Sequence, residues 1–212
     1  MSEPVLSPPE RDAARSRAAI LDAAEQLFAT RGYKEASLEA IGRLAGVSRG
    51  TPRYFFGAKE QLYRAVLTRI LTSESQVLME AQSRALAAGG DLEAVLKALV
   101  DALLDFLVAR PTFVQLIERE AAGGGEGLQA VARETPEVQA GLAALAEYFA
   151  GVMAPTQSPV SILLSLLALC WFPLAHANTF TRGLGLDPES PAFLGMWKRH
   201  IVTLVLCGIE RE

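Results

Sequence analysis

A chain of 212 residues with 50% apolar and 21% charged side chains can bury one generous core or two small ones, and it is too apolar to remain disordered. Two cysteines, Cys170 and Cys207, are too few for a disulfide scaffold and read as free thiols in a reducing compartment. The net charge of -4 hides an asymmetry: residues 11–70 carry 11 Lys/Arg against 6 Asp/Glu, while the other 152 residues carry 9 against 18. A basic N-terminal third on an acidic body points to a polyanionic partner at that end.

Residues 1–10 are Pro-rich and aperiodic, and are expected to form a disordered tail. They lack the basic and apolar regions of a signal peptide, so a cytoplasmic chain is expected. From Arg11 the pattern is helical, with Ile20, Leu21, Ala24, Leu27 and Phe28 on one face and Gly32 just past the last turn. Ser37 is placed to cap a helix over Leu38–Ala45, with Leu38, Ile41 and Leu44 on one face. Gly46 ends it, and Ser48 is expected to cap a short helix over about Arg49–Phe55. Lys59 opens a long helix carrying Leu62, Val66, Ile70 and Leu78.

Asp91 is expected to cap a helix reaching Val108, with Leu92, Val95, Leu96, Leu99, Leu103 and Phe106 facing inward. A helix follows from Pro111 through Glu120, then a flexible Gly123-Gly124-Gly125 break. Further helices are expected over Pro136–Met153, Ser158–Thr181 and Ser190–Gly208. The 34 residues from Tyr148 to Thr181 contain no Asp, Glu, Lys or Arg. Their dense part, Val160–Ala175, is shorter than the about 20 apolar residues a membrane span needs and holds Pro173, so a buried or interfacial helix is expected. The fold class is all-α, with about nine helices. The divisions are the tail over 1–10, a basic helical segment over 11–57 and a longer helical body over 58–212.

The span from Leu38 to Tyr54 has the layout of a helix-turn-helix. Gly46 permits the positive φ that the turn needs, and Val47 can plug the space between the helices. Arg49, Gly50 and Thr51 form the first turn of the second helix, the part of such a motif that enters a major groove. Arg53, Tyr54 and Lys59 bunch directly behind it, with Arg43 on the preceding helix. A helical protein-interaction module without specific DNA binding is the competing reading of the same layout.

Ile20-Leu-Asp-Ala-Ala24, Leu27-Phe28, Gly32-Tyr33, Ser37-Leu38, Ile41, Ala45-Gly-Val-Ser48, Gly50-Thr51, Phe56 and Lys59-Glu60-Gln-Leu62 together resemble the N-terminal domain of the tetracycline-repressor (TetR) family of transcriptional regulators. The resemblance implies a homodimer that binds a palindromic operator in double-stranded DNA and a C-terminal body that binds a small-molecule effector and dimerises through its last two helices. It assigns Ser37, Ser48 and Lys59 to phosphate contacts and Arg49, Gly50 and Thr51 to base reading. This chain departs from the family in Arg53 where Tyr is usual, Pro52 in place of an aliphatic residue and Gly42 in place of Ala. Arg53 can still bind a phosphate or read guanine. Gly42 is expected only to weaken its helix, by roughly 1 kcal/mol.

No catalytic motif is present: His176 and His200 belong to no H-E-x-x-H, Walker or G-x-S-x-G pattern. Neither a metal nor a cofactor is expected, and the chain does not read as an enzyme. For the dimer, Val160, Leu163, Leu164 and Leu167 form one apolar face, and Phe193, Trp197, Ile201, Leu204 and Val205 form another. For the effector, Phe106, Phe113, Leu116, Trp171, Phe172 and Phe180 supply apolar surface. Glu120, His176 and Asn178 supply a polar end, which suits an apolar or amphipathic molecule.

Overall fold

The computed structural model describes residues 8–209, which form ten α-helices with one π-helical and one 3-10 segment between the last two. No β-strand occurs among these residues. The helices are α1 (Pro8–Arg31), α2 (Leu38–Leu44), α3 (Thr51–Phe56), α4 (Lys59–Ala87), α5 (Leu92–Ala109), α6 (Pro111–Ala122), α7 (Glu126–Glu134), α8 (Pro136–Val152), α9 (Pro159–Ala175) and α10 (Pro191–Gly208). The expected tail lies outside the described residues for residues 1–7. From Pro8 onward the chain is helical, so the helix starts earlier than the apolar pattern indicates. Pro8 and Pro9 suit a first turn, where amide N–H groups have no helical partner.

Two compact units share the chain: one comprises the residues up to Arg69 with Gln115–Val131, the other Ile70–Val114 with Ala132 to the C-terminus. In the first, α1, α2 and α3 pack on one another. Ile20, Ala24, Leu27, Phe28, Ile41 and Phe56 fill the space between them. Leu62 and Val66 at the start of α4 are also fully buried. Arg17 lies over the Phe56 ring at 4.5 Å, linking α1 to α3.

In the second unit α5 packs against α9 and α10, and α8 and α10 each pack on α9. The expected inward row of α5, from Leu92 to Phe106, is buried throughout. Asp91 caps α5 as anticipated, its carboxylate accepting from Ala94 N–H at 3.0 Å. Lys198 of α10 pairs with Asp105 at 2.6 Å and Asp101 at 3.5 Å on α5.

Two elements differ from the sequence pattern. Glu126–Glu134 is an additional helix, α7, directly after the triple glycine. The helix expected over Ser158–Thr181 is interrupted: α9 stops at Ala175, and Ala177–Thr181 continues as a π-helical turn. Pro173 stands two residues before the end of α9 and removes one amide donor from its last turns. Among the described residues no single helix is long and apolar enough to cross a membrane, and α9 is bent by 62° from the segment that follows it.

Candidate nucleic-acid interface

The helix-turn-helix is assembled by local hydrogen bonding. Ser37 adopts an extended conformation and its hydroxyl accepts from Ala40 N–H at 3.1 Å, capping α2. At the other end Gly46 has φ +68. Val47 N–H donates to Gly42 at 3.0 Å and Gly46 N–H to Arg43 at 3.2 Å, the paired bonds of a Schellman ending. Val47 is half-buried in the turn.

The second helix begins later than its sequence indicates. α3 starts at Thr51, and its N-cap Gly50 lends no side chain. Ser48 therefore does not cap it in the expected way. Its carbonyl accepts from Thr51 N–H at 3.0 Å, and its hydroxyl meets the Thr51 hydroxyl at 2.6 Å. Leu44, expected on the inner face of α2, is instead 48% exposed. The buried contribution of α2 comes from Ile41 and Gly42.

Arg43, Ser48, Arg49, Gly50, Arg53 and Tyr54 form an exposed set over α2, the turn and α3, with Thr51 half-buried among them. Tyr54 is 84% exposed despite its aromatic ring. A Cβ added to Gly50 would meet nothing within 4 Å, so the start of α3 offers open backbone. Glu39, which no sequence motif singles out, organises two of these cations. It accepts from Arg49 at 2.6 Å and lies 4.0 Å from Arg43. Lys59 is engaged inside the head: its ammonium donates to the carbonyls of Tyr33 at 2.9 Å and Lys34 at 3.3 Å, and sits 4.4 Å from the Tyr33 ring centre.

Residues expected to share one effector pocket fall into three groups. Phe106, Phe113 and Trp171 form an edge-to-face chain in the second unit, with centroids 5.1 and 5.8 Å apart. Phe172, His176 and Phe180 form a second cluster around the π-helical turn, where both phenylalanines are exposed. Phe172 lies in the last turn of α9 and Phe180 in the π-helical segment, so the cluster spans the helix break. Asn178 is exposed and pairs with Arg182. Leu116 is buried in the first unit. Glu120 also belongs there, accepting from Tyr63 hydroxyl at 2.5 Å and from Leu128 N–H at 3.0 Å. Burial and this carboxylate hold the Tyr63 phenol well above its usual range.

The residues expected at a dimer interface divide as well. Val160, Leu164, Leu167 and Leu204 are exposed apolar side chains, and Leu163 is half-exposed. Phe193, Ile201 and Val205 are instead buried within the single chain, because α10 turns them toward its own neighbours. Trp197 is half-buried, and its indole N–H donates to the Leu169 carbonyl at 2.9 Å.

A capped two-helix motif with an open, cationic second helix, joined to a helical body, defines a helix-turn-helix transcriptional regulator rather than an enzyme. The model for bacterial regulatory proteins of the tetR family matches residues 20–66. The model for the tetracyclin repressor-like C-terminal domain matches residues 93–205, more than half of the chain by itself. The chain belongs to the TetR family of DNA-binding transcriptional regulators. It is 29% identical to the HTH-type transcriptional repressor NicS of Pseudomonas putida over 95% of both chains. It is 44% identical to the HTH-type transcriptional regulator RutR of Escherichia coli over 29% of each. A TetR family regulator from Marinobacter aquaeolei shares the fold at a TM-score of 0.68 and 17% identity, over 92% of this chain and 97% of that one.

Proposed function

We propose that this regulator is a cytoplasmic homodimeric repressor that binds a palindromic operator and is released from it by a small apolar or amphipathic effector. The observation that carries the reading is the exposed set at the start of α3. Arg49, Gly50 and Thr51 read base edges, and Arg53 and Tyr54 contact the duplex from the same helix. Ser37, Arg43 and Ser48 serve the phosphates. Lys59 shapes the turn after α1 with its carbonyl bonds and gives its charge to the same backbone contacts. Repression follows the relative NicS, which is named a repressor.

The exposed apolar side chains Val160, Leu164 and Leu167 on α9 and Leu204 on α10 support pairing of these helices with a second copy, since clustered exposed apolar surface is unusual on a monomer. Two heads in a dimer then meet half-sites about 34 Å apart. The chain Phe106–Phe113–Trp171 supports an apolar wall for the effector in the second unit.

Fluorescence anisotropy with the DNA upstream of the chain's own reading frame tests the proposal. Specific binding is expected, with a log–log salt slope of about -7 for roughly eight phosphate contacts per dimer. Thr51→Ala is expected to weaken operator binding more than binding to random DNA. Equal binding to both DNAs at every salt concentration overturns it. Light scattering is expected to give twice the chain mass of 22.7 kDa, and a monomer overturns the dimer.

A further inference from the structure

The exposed cations of the DNA-binding head differ in one respect, and the difference is a carboxylate. Glu39 lies in the first turn of α2, where a negative charge suits the helix dipole. One of its oxygens is 2.6 Å from a terminal nitrogen of Arg49, and the other is 4.0 Å from Arg43 on the next turn of the same helix. The Arg49 contact crosses ten residues of sequence and ties the turn before α3 back to α2. The Arg53 side chain, exposed on α3, makes no such pair among the described residues.

These pairs contribute little to folding. Arg43 and Arg49 are each 78% exposed and Glu39 is 46% exposed, so water screens both contacts. Nor does the carboxylate add to raw affinity for DNA, because it repels each phosphate that approaches the head. Its effect is selective. A base edge in the major groove carries no net charge and is not repelled, whereas a phosphate carries a full negative charge. Arg49 gives Glu39 one terminal nitrogen, and the rest of its guanidinium keeps donors that can meet guanine O6 and N7 while the pair persists.

We propose that Glu39 is a specificity-determining residue of the DNA-binding head: as the counter-ion of Arg49 and Arg43 it weakens their capture by phosphates and reserves Arg49 for base edges. It is a positioning residue, acting on DNA through the arginines. This deepens, and rests on, the reading that Arg49 contacts bases. Without the carboxylate Arg49 becomes an untethered cation on an exposed turn, available to any phosphate in reach, so random DNA gains contacts that operator DNA does not.

Glu39→Gln removes the charge and keeps the shape, and thermal melts are expected to match those of the native chain because the residue is exposed. Anisotropy is measured over a series of salt concentrations with the DNA upstream of the chain's own reading frame and with a shuffled duplex of equal length. The shuffled duplex is expected to bind Glu39→Gln about fivefold more tightly than it binds the native chain. Its log–log salt slope is expected to steepen by about 2, one added phosphate contact for each head of a dimer. Upstream DNA is expected to gain less than about twofold, so discrimination falls. Glu39→Ala is expected to behave in the same way. Glu35→Gln, which removes a charge from the exposed turn after α1, controls for net charge and is expected to leave discrimination unchanged. Arg49→Gln in the Glu39→Gln background is expected to remove most of the gain on shuffled DNA. Unchanged binding of shuffled DNA by Glu39→Gln, equal gains on both duplexes, the same loss of discrimination in Glu35→Gln, or a gain undiminished by Arg49→Gln overturns the proposal. A native chain that binds both duplexes equally overturns the base-reading assignment, and this role with it. Native discrimination that persists in Glu39→Gln overturns the role of Glu39 alone.

Discussion

Trp197 donates its indole N–H to the main-chain carbonyl of Leu169 at 2.9 Å, and Leu169 is the residue four positions before Pro173. In an uninterrupted α-helix that carbonyl would accept from the amide of residue 173, and proline has none. A side chain from α10 thus closes the hydrogen bond that a proline in α9 leaves open. The proline's own carbonyl is also bonded, since the Thr181 hydroxyl donates to it at 3.0 Å. The break in α9 is a satisfied structure, which explains how a helix of such apolar composition ends inside the chain without stranded polar groups.

Trp197→Phe is therefore expected to destabilise the protein by about 1–2 kcal/mol, the loss of a hydrogen bond that leaves a carbonyl unpaired. The same substitution in a Pro173→Ala background is expected to cost clearly less, because an alanine at that position restores the helical donor. Urea denaturation of the four proteins of this cycle measures the coupling. Equal costs in both backgrounds would show that the tryptophan acts only through packing.

Gly42 and Pro52 form a second such pairing, in the helix-turn-helix. A Cβ on Gly42 would lie 3.2 Å from Pro52 Cγ and 3.4 Å from the Ser48 carbonyl. The two departures from the family pattern are one feature: the glycine makes room for the ring. Gly42→Ala is expected to give no net gain, as the roughly 1 kcal/mol of helix propensity is offset by a tight contact. In Pro52→Ala the same change is expected to stabilise by about 1 kcal/mol. Thermal melts of the double-mutant cycle test this, and additive effects would reject the coupling.

The helix-turn-helix is legible in the sequence because its determinants are local. Ser37 caps the residue three places on, and Gly46 with Val47 closes α2 by bonds spanning five residues or fewer. The departure at Leu44 is also local in origin, since α2 is too short to bury both ends of its apolar row. Helix α7 is hidden by the three glycines before it, although Leu128 and Val131 have helical spacing. The pocket residues separate for a different reason. Phe172, His176 and Phe180 still meet around the π-helical turn, but both phenylalanines are exposed there, and the change of direction after α9 is not carried by periodicity. Glu120 reads in sequence as the polar end of a pocket, yet its partner Tyr63 lies 57 residues away.

Glu74 of α4 predicts a pH dependence of stability. Its carboxyl is raised from an ordinary 4.5 to about 7 in the folded chain, so between these values the folded state holds more protons than the unfolded one. Its contribution is fully present below about pH 4.5, is lost as pH rises through 7, and amounts to about 3 kcal/mol. Glu74→Gln is expected to be more stable than the native chain at pH 8 and to lose most of that advantage at pH 5. Urea midpoints at the two pH values measure it, and a difference that does not change with pH contradicts the burial of this group.

The C-terminal end of α1 depends on a residue far along the chain. Gly32 N–H donates to the Phe28 carbonyl at 3.0 Å, which leaves the carbonyls of Ala29 and Thr30 at the helix end. Arg119 of α6 reaches both, donating to Ala29 at 2.5 Å and to Thr30 at 2.8 Å. A cation at a helix C-terminus is favourable to the dipole, and a planar guanidinium presents its donors to two adjacent carbonyls in a fixed fork, which a shorter, point-like ammonium does not reproduce. The turn that follows α1 carries Tyr33, whose carbonyl accepts from Lys59, so this end fixes one edge of the DNA-binding head. Arg119→Ala is expected to cost about 1–2 kcal/mol of stability. It is also expected to speed amide exchange over residues 32–36 and to weaken operator and random DNA alike, because it loosens the frame rather than the reading turn. Arg119→Lys is expected to recover part of the stability but not all of the exchange protection. Hydrogen exchange with anisotropy on the same samples separates these effects. Native-like exchange over residues 32–36 in Arg119→Ala would show that α1 ends securely without the arginine.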